Sequence, residues 1–212
     1  LGGQVLNSNE INAAIEGQPI GVFYMPEYAG VDPANGDALY YLNTPLANGT
    51  LDRKTTNDIN EAERIFAGNP NPKYIFGLNN NFSFRNFDLG VFFQGVQGNK
   101  IFNSGGTYMS ANGSNGYDNQ TADQINYWDT PGQITDVPEP RLGYGNGAGT
   151  STRYLTDGSY SRLKTLTLGY NLPTSALNKL RLSKLRVFAS GQNLLTITKY
   201  KGWDPEVNAD YQ

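Results

Sequence analysis

Residues 74–97 read YIFGLNNNFSFRNFDLGVFFQGVQ, and this stretch decides the fold. Tyr74, Phe76, Leu78, Phe82 and Phe84 fall on one parity, and Gly77, Asn79, Asn81, Ser83 and Arg85 on the other. After a tight turn read at Asn86 and Phe87, Leu89, Val91 and Phe93 alternate with Asp88, Gly90 and Gln94. Period-two alternation is the mark of a strand whose two faces meet different surroundings, and the short turn makes the pair an antiparallel hairpin. Its bulky face is aromatic and its other face carries amides and hydroxyls. A soluble core would bury the apolar face and turn the amides to solvent outside. A membrane barrel turns the apolar face to lipid and the amides to a watery lumen.

Two further runs support that choice. Residues 159–172 and 185–198 are joined by a short connection opening with Pro173, and each is long enough to cross a bilayer as a tilted strand of about 9 to 11 residues. Read by strict alternation, Tyr160, Arg162, Lys164, Leu166, Leu168 and Tyr170 share one face of the first run. Ser161, Leu163, Thr165, Thr167, Gly169 and Asn171 share the other, so neither face is cleanly apolar. In the second, Leu185, Val187 and Ala189 face one way and Arg186, Ser190 and Gln192 the other, with Phe188 and Leu194 breaking the polar row.

Composition narrows the class. The 212 residues include Gly 25, Tyr 14 and Phe 10, the mixture of aromatic strands and flexible turns that suits an all-β fold. A net charge of −3 without a basic block gives no electrostatic footprint for nucleic acid, which is excluded as a partner. With Cys 0 and His 0 there are no disulfides and no thiolate or imidazole ligands, and the commonest general base is missing. Neither a catalytic residue, a metal ligand set nor a cofactor is expected. No apolar run approaches the roughly 18 residues of a membrane helix, a fact that leaves a barrel open because lumen residues and outer loops are polar. Leu1-Gly2-Gly3 leads into a polar stretch with no signal-peptide pattern, so a leader is removed or the natural start lies elsewhere.

Outside the sharp hairpin the pattern loosens. Residues 9–16 carry Ile11 and Ile15 four apart and read as a short helix ending at Gly17. Residues 20–28 read as a strand interrupted by Pro26, residues 31–37 as a turn, and residues 39–42 as the returning strand of a hairpin. A polar connection spans residues 43–63, and the two prolines Pro70 and Pro72 require the next strand to start after them. Residues 98–151 form a long segment rich in Gly, Asn, Ser and Asp, with a short helix at 123–128; a connection of this length is ordinarily functional.

Several stretches, in order, resemble the C-terminal part of the SusC/RagA family of TonB-dependent outer-membrane transporters of Bacteroidetes. They are Gly17-Gln18-Pro19-Ile20-Gly21, Ala29-Gly30-Val31-Asp32-Pro33, Gly68-Asn69-Pro70-Asn71-Pro72-Lys73-Tyr74 and Phe87-Asp88-Leu89 with Phe92-Phe93-Gln94-Gly95. Asp157-Gly158-Ser159-Tyr160-Ser161-Arg162-Leu163-Lys164, Leu168-Gly169-Tyr170-Asn171-Leu172-Pro173, Ser190-Gly191-Gln192-Asn193-Leu194 and Tyr200-Lys201-Gly202-Trp203-Asp204-Pro205-Glu206 complete the set. The resemblance implies a barrel of roughly 22 strands around a plug, a SusD-like surface lipoprotein as lid, energy from TonB, and import of oligosaccharide or peptide. It places residues 1–212 in one unit, an antiparallel transmembrane β-barrel segment of about six or seven strands with long extracellular loops, in the cell outer membrane and in contact with lipid. The plug, the TonB-contacting segment and the last strand have no counterpart in these residues, so the chain is expected to be a fragment.

Candidate cargo-contacting residues are the loop aromatics Tyr108, Tyr117, Tyr127 and Trp128, whose rings could stack on sugars or grip a peptide, or else pack the loop into one shape. Trp203 could meet substrate or lid; as a rim aromatic it would anchor the membrane interface instead. Asp32, Asn35 and Asp37 have oxygens spaced like part of a calcium loop, but the remaining ligands are absent and turn chemistry accounts for them. Asp136, Glu139 and Arg141 read as a solvated loop rather than a glycosidase pair. Arg162 and Lys164 share a strand face with Tyr160 and could form a positive lumen wall that attracts anionic substrate; they read instead as cations paired with carboxylates of neighbouring strands or the plug. A secreted β-sandwich that binds carbohydrate is the alternative architecture; it requires apolar inner faces, against which the Asn79, Asn81, Ser83 and Gln94 row argues.

Overall fold

The computed structural model describes residues 3–9 and 11–206. In chain order the strands are β1 (Val5–Ser8), β2 (Asn12–Ile15), β3 (Val22–Pro26), β4 (Tyr28–Val31), β5 (Ala38–Tyr41), β6 (Thr55–Thr56) and β7 (Arg64–Gly68). They continue with β8 (Tyr74–Phe84), β9 (Phe87–Gln97), β10 (Lys100–Phe102), β11 (Leu155–Asp157), β12 (Tyr160–Asn171) and β13 (Arg186–Thr198). Short helices α1 (Gly106–Met109) and α2 (Thr174–Leu180) and two 3-10 turns, Ala122–Asn126 and Thr152–Tyr154, complete the elements. Contacts divide the chain into two units: residues 72–99 with 158–200, and the remainder.

The first of these is a four-stranded antiparallel meander in the order β8-β9-β12-β13, with strands of 11, 11, 12 and 13 residues. The β8–β9 register pairs Phe76 with Gly95, Leu78 with Phe93, Phe82 with Leu89 and Phe84 with Phe87, so these residues share one face. Asn79 with Phe92, Asn81 with Gly90 and Ser83 with Asp88 share the other. The turn residues are Arg85 and Asn86, one position earlier than the alternation suggested, because Phe87 already pairs with Phe84. Tyr74, Phe82 and Phe84 remain 60%, 58% and 71% exposed, so no core within the described residues closes around them.

The mixed faces of β12 are corrected by one residue. Its register with β9 slips between Leu163 and Thr165, leaving Lys164 as a bulge. An extra residue in a strand inverts the parity of everything after it. Ser161, Leu163, Leu166, Leu168 and Tyr170 therefore lie on the apolar face, and Tyr160, Arg162, Thr165, Thr167, Gly169 and Asn171 on the polar face. In β13, Val187, Ala189, Leu195 and Ile197 join the apolar face through their β12 partners.

The second unit contains the sheets β1-β2-β3-β7, β4-β5-β6 and β10-β11. Residues expected to be helical form β2 instead: Ala13 and Ile15 are both buried against Val22, while the Asn9 carboxamide oxygen accepts the Ile11 and Asn12 amides at 2.8 and 2.6 Å. Spacing of four suits both a helix and a strand, and sheet partners on both sides favour the strand. The 31–37 turn forms as read, with Gly36 at φ 77 and the Asp32 carboxylate accepting the Ala34 amide at 2.8 Å. Strand β10 lies in the segment read as a long connection, and β7 directly follows the 43–63 connection; they pair with β11 and β3, across a long excursion and at a distance in sequence. Beneath the β4–β5 hairpin, Ala38, Tyr40 and Ala62 form a small core with Tyr28 and Ile59 packed on it.

Candidate functional site

Two polar surfaces stand out, one in each unit. In the meander, the polar face carries a groove of about 270 Å³ lined by Asn79, Asn81, Ser83, Thr165, Thr167 and neighbours. Its lining comes from all four strands of the meander, because the registers align amides of β8 with hydroxyls of β12 and bring Arg186 of β13 alongside. Thr167 and Ser190 hydroxyls meet at 2.8 Å, and the Arg186 guanidinium donates to Asp88 at 3.1 and 2.5 Å. Farther along the same face Tyr160 and Arg162 are buried, the guanidinium 5.3 Å from the Tyr160 ring, and Gln94 donates to the Tyr160 hydroxyl at 3.3 Å. Arg162 thus lies on the polar face with Tyr160, while Lys164 is displaced to the bulge. Phe92 interrupts the polar row by lying over Gly77, where an added Cβ would stand 3.3 Å from the ring.

In the other unit a cleft of about 770 Å³ is built where β4 meets the long segment. The Tyr28 amide donates to Thr152 Oγ1 at 2.9 Å and its hydroxyl to the Asp136 carbonyl at 3.1 Å, fixing the strand against residues more than a hundred positions later. Arg153 lies between two rings, 5.7 Å from Tyr28 and 5.4 Å from Tyr154. Its guanidinium donates to the Gly147 carbonyl at 2.9 Å and to Asn112 Oδ1 at 2.7 Å. Across the cleft, the 3-10 turn supplies Asp123, Gln124 and Asn126, and Lys201 adds a second cation. Gln124 is only 8% exposed; its amide nitrogen donates to Asp123 at 3.1 Å, and its Oε1 has no protein partner.

The electrostatics fix the charge states of the groups that line this cleft. Burial opposes ionisation of Asp123, but hydrogen bonds from Thr121, Gln124 and its own backbone outweigh it and hold the carboxyl below the ordinary value. Burial pushes the Tyr28 and Tyr154 phenols up, so both are neutral hydroxyls at physiological pH and not bases. The cleft therefore offers a fixed anion, two cations and several hydroxyl and amide groups, suited to a polar or zwitterionic ligand.

The five aromatics singled out from sequence do not line this cleft. Trp128 is 6% exposed: its amide donates to the Val137 carbonyl at 2.9 Å, its indole to the Pro33 carbonyl at 3.2 Å, and its ring covers Gly36. Tyr127, beside it, is 40% exposed. Tyr108 on α1, Tyr117 and Trp203 are largely in solvent. Among the acidic candidates, Asp37 and Glu139 both bind Arg141, each at 2.7 Å. Tyr28, Arg153 and Gln124 were not singled out from sequence. The available signal was an arginine beside a tyrosine in an otherwise small, uncharged stretch.

No family model matches the chain. TonB-dependent receptor P3 of Formosa agariphila is 40% identical over 198 residues, 91% of this chain and 19% of that protein. TonB-dependent receptor SusC of Bacteroides thetaiotaomicron is 27% identical over 96% of this chain and 19% of its own length. The chain thus spans about a fifth of the curated relatives it matches. Among solved structures, the RagAB peptide transporter aligns with TM-score 0.77 at 30% identity, covering 95% of this chain and 22% of that one. The RagAB peptide importer in its closed-closed state aligns with TM-score 0.78.

Proposed function

We propose that this chain, a SusC/RagA-like outer-membrane segment of TonB-dependent-receptor type, is the C-terminal barrel part, residues 1–212, of a nutrient importer. The meander walls the lumen, and the long connections shape a vestibule for oligosaccharide or peptide. A SusD-like lipoprotein lids the vestibule, and TonB acts through a plug carried elsewhere in the protein. The segment performs no bond chemistry; it presents hydroxyls, amides and fixed charges along the path of the cargo.

One observation carries this reading: the registers sort Phe76, Phe82, Leu166 and Leu168 onto one face and Asn79, Asn81, Thr165 and Thr167 onto the other, in strands long enough to span a bilayer. Tyr74 and Phe84 stand ten residues apart, about 33 Å along the strand and, at a tilt of about 40°, about 25 Å in height, the thickness of a barrel's apolar band. The chemistry of the cleft accommodates either cargo.

The test places one cation on each face of the full-length receptor. Leu166→Arg puts a charge toward lipid, at a cost of about 2–4 kcal/mol near the midplane, and is expected to abolish the heat-modifiable folded band. Thr167→Arg is expected to assemble and to slow uptake of the cargo. Equal assembly of both variants would overturn the barrel-wall reading.

A further inference from the structure

Strand β9 enters the meander from a two-residue turn, Arg85 and Asn86, and β12 leaves it into the connection 173–185. These two connections lie at one end of the sheet, where the Asn171 amide donates to the Asn86 carbonyl at 2.8 Å and the Leu172 amide to the Leu185 carbonyl at 3.0 Å. In barrels the short turns mark the periplasmic side. This end has an unusual charge. No Asp or Glu occurs between Asp157 and Asp204 in a chain whose net charge is −3, yet Lys179, Arg181 and Lys184 fall in this connection and Arg85 in the neighbouring turn.

All four cations are exposed, as are Leu180 and Leu182, at 56% and 45%. The connection is anchored and capped: Leu177 is buried, and the Arg181 amide closes the helix onto the Asn178 and Leu177 carbonyls. Arg181 and Arg85 both sit in the left-handed region, at φ 51 and φ 54, positions that glycine or asparagine ordinarily fill. Beside them the apolar face ends in an aromatic row, Phe84, Phe87 and Tyr170, with the Phe87 and Tyr170 rings 4.7 Å apart. Such a row marks the level of the headgroups. Cations interleaved with leucines at that level fit a lipid surface, with stems in the acyl boundary and charges on phosphates. A soluble acidic partner would not call for the exposed leucines.

We propose that residues 173–185, together with Arg85, form a binding surface for anionic phospholipid headgroups of the leaflet at the short-turn end. The inference rests on the barrel-wall reading above. Three cations on one connection amount to on the order of a hundredfold preference for anionic over zwitterionic lipid, roughly fivefold per charge. The preference weakens as salt screens it.

The test uses the full-length receptor in phosphatidylcholine nanodiscs with increasing phosphatidylglycerol, reading thermal stability of the folded barrel against phosphatidylglycerol fraction. Wild type is expected to be stabilised at low fraction, and less so at high salt. The triple variant Lys179→Gln, Arg181→Gln, Lys184→Gln is expected to require a far higher fraction, whereas Lys179→Arg with Lys184→Arg behaves as wild type. Identical lipid dependence in wild type and triple variant would overturn the proposal. So would reduced uptake with unchanged lipid dependence, which would assign the cations to a protein partner. Should the triple variant fail to assemble, single Lys179→Gln and Lys184→Gln carry the measurement: each is expected to shift the curve about fivefold, and no shift in either refutes the lipid site. Failure of the barrel-wall reading itself shows separately, as normal assembly of Leu166→Arg.

Discussion

The Asp88 carboxylate on β9 and the Arg186 guanidinium on β13 meet at 2.5 Å although β12 runs between their strands. Gly169 of β12 permits it. A Cβ there would overlap Arg186 Nη2 and both Asp88 oxygens, and Asn171 completes the cluster by donating to Asp88 at 3.2 Å. A three-strand span thus rests on one missing side chain, and the polar face gains a charged pair without a free charge.

Replacing Gly169 with valine is expected to separate the pair and to lower the temperature at which the full-length barrel loses its folded band. Because a side chain at position 169 and a neutral residue at position 88 would remove the same interaction, Gly169→Val and Asp88→Asn are expected to be non-additive. A double-mutant cycle on melting temperature checks this. Fully additive losses would mean that the two residues act independently.

The Lys164 bulge sets the parity of β12, so its length matters more than its side chain. Lys164→Ala is expected to assemble normally. Deleting the residue would send either Tyr160 and Arg162 or Thr165 and Thr167 to the lipid face, and a buried arginine facing lipid costs up to about 2–4 kcal/mol. The deletion is expected to lose the folded band while Lys164→Ala keeps it; a folded deletion variant would show that the register heals without the extra residue.

These cases also explain what the chain discloses by itself. The faces of β8 and β9 were legible because alternation there is unbroken for the length of each strand. Those of β12 were not, because a bulge leaves no chemical signature at Lys164; it shows only as two faces that both look mixed. Ile11 and Ile15 misled because four residues is an even number as well as a helical turn. The cleft was hidden for another reason. Tyr28 meets Thr152 and Asp136 across separations of 124 and 108 residues, and no local pattern encodes such meetings. The aromatic loop residues were visible, but whether a ring in a Gly-rich segment is buried like Trp128 or exposed like Tyr117 depends on those same distant partners.

Acid is expected to loosen the β4–β5 hairpin. Arg53 holds the Glu27 carboxyl below its ordinary value against the effect of burial, with Asn43 assisting. Burial opposes ionisation of Asp37, but Asn57, Arg141 and Asn35 prevail and lower it too. Carboxyls depressed in the folded state add stability that is complete above the unfolded value of about 4 and vanishes as pH falls through the folded value. The fluorine resonance of 5-fluorotryptophan at position 128 is therefore expected to be unchanged from pH 7 to about 5 and to shift or broaden below about 4. Asp37→Asn should remove part of that response, and a transition centred near neutrality would assign it to other groups.

Trp128 separates packing from cargo contact. Its ring lies against Gly36, where a Cβ would overlap the indole, and its nitrogen donates to Pro33. Trp128→Ala removes a buried aromatic, a loss of about 3–5 kcal/mol in a packed core, and is expected to expose the long segment to protease and to reduce uptake. Trp128→Phe keeps most of the packing and gives up one hydrogen bond, about 1 kcal/mol; it is expected to import nearly as well as wild type. Gly36→Ala adds strain at φ 77 as well as the clash, and should resemble Trp128→Ala although the indole is intact. A ring that grips cargo would give the reverse order: Gly36→Ala would spare uptake, and Trp128→Ala would abolish it with protease resistance unchanged.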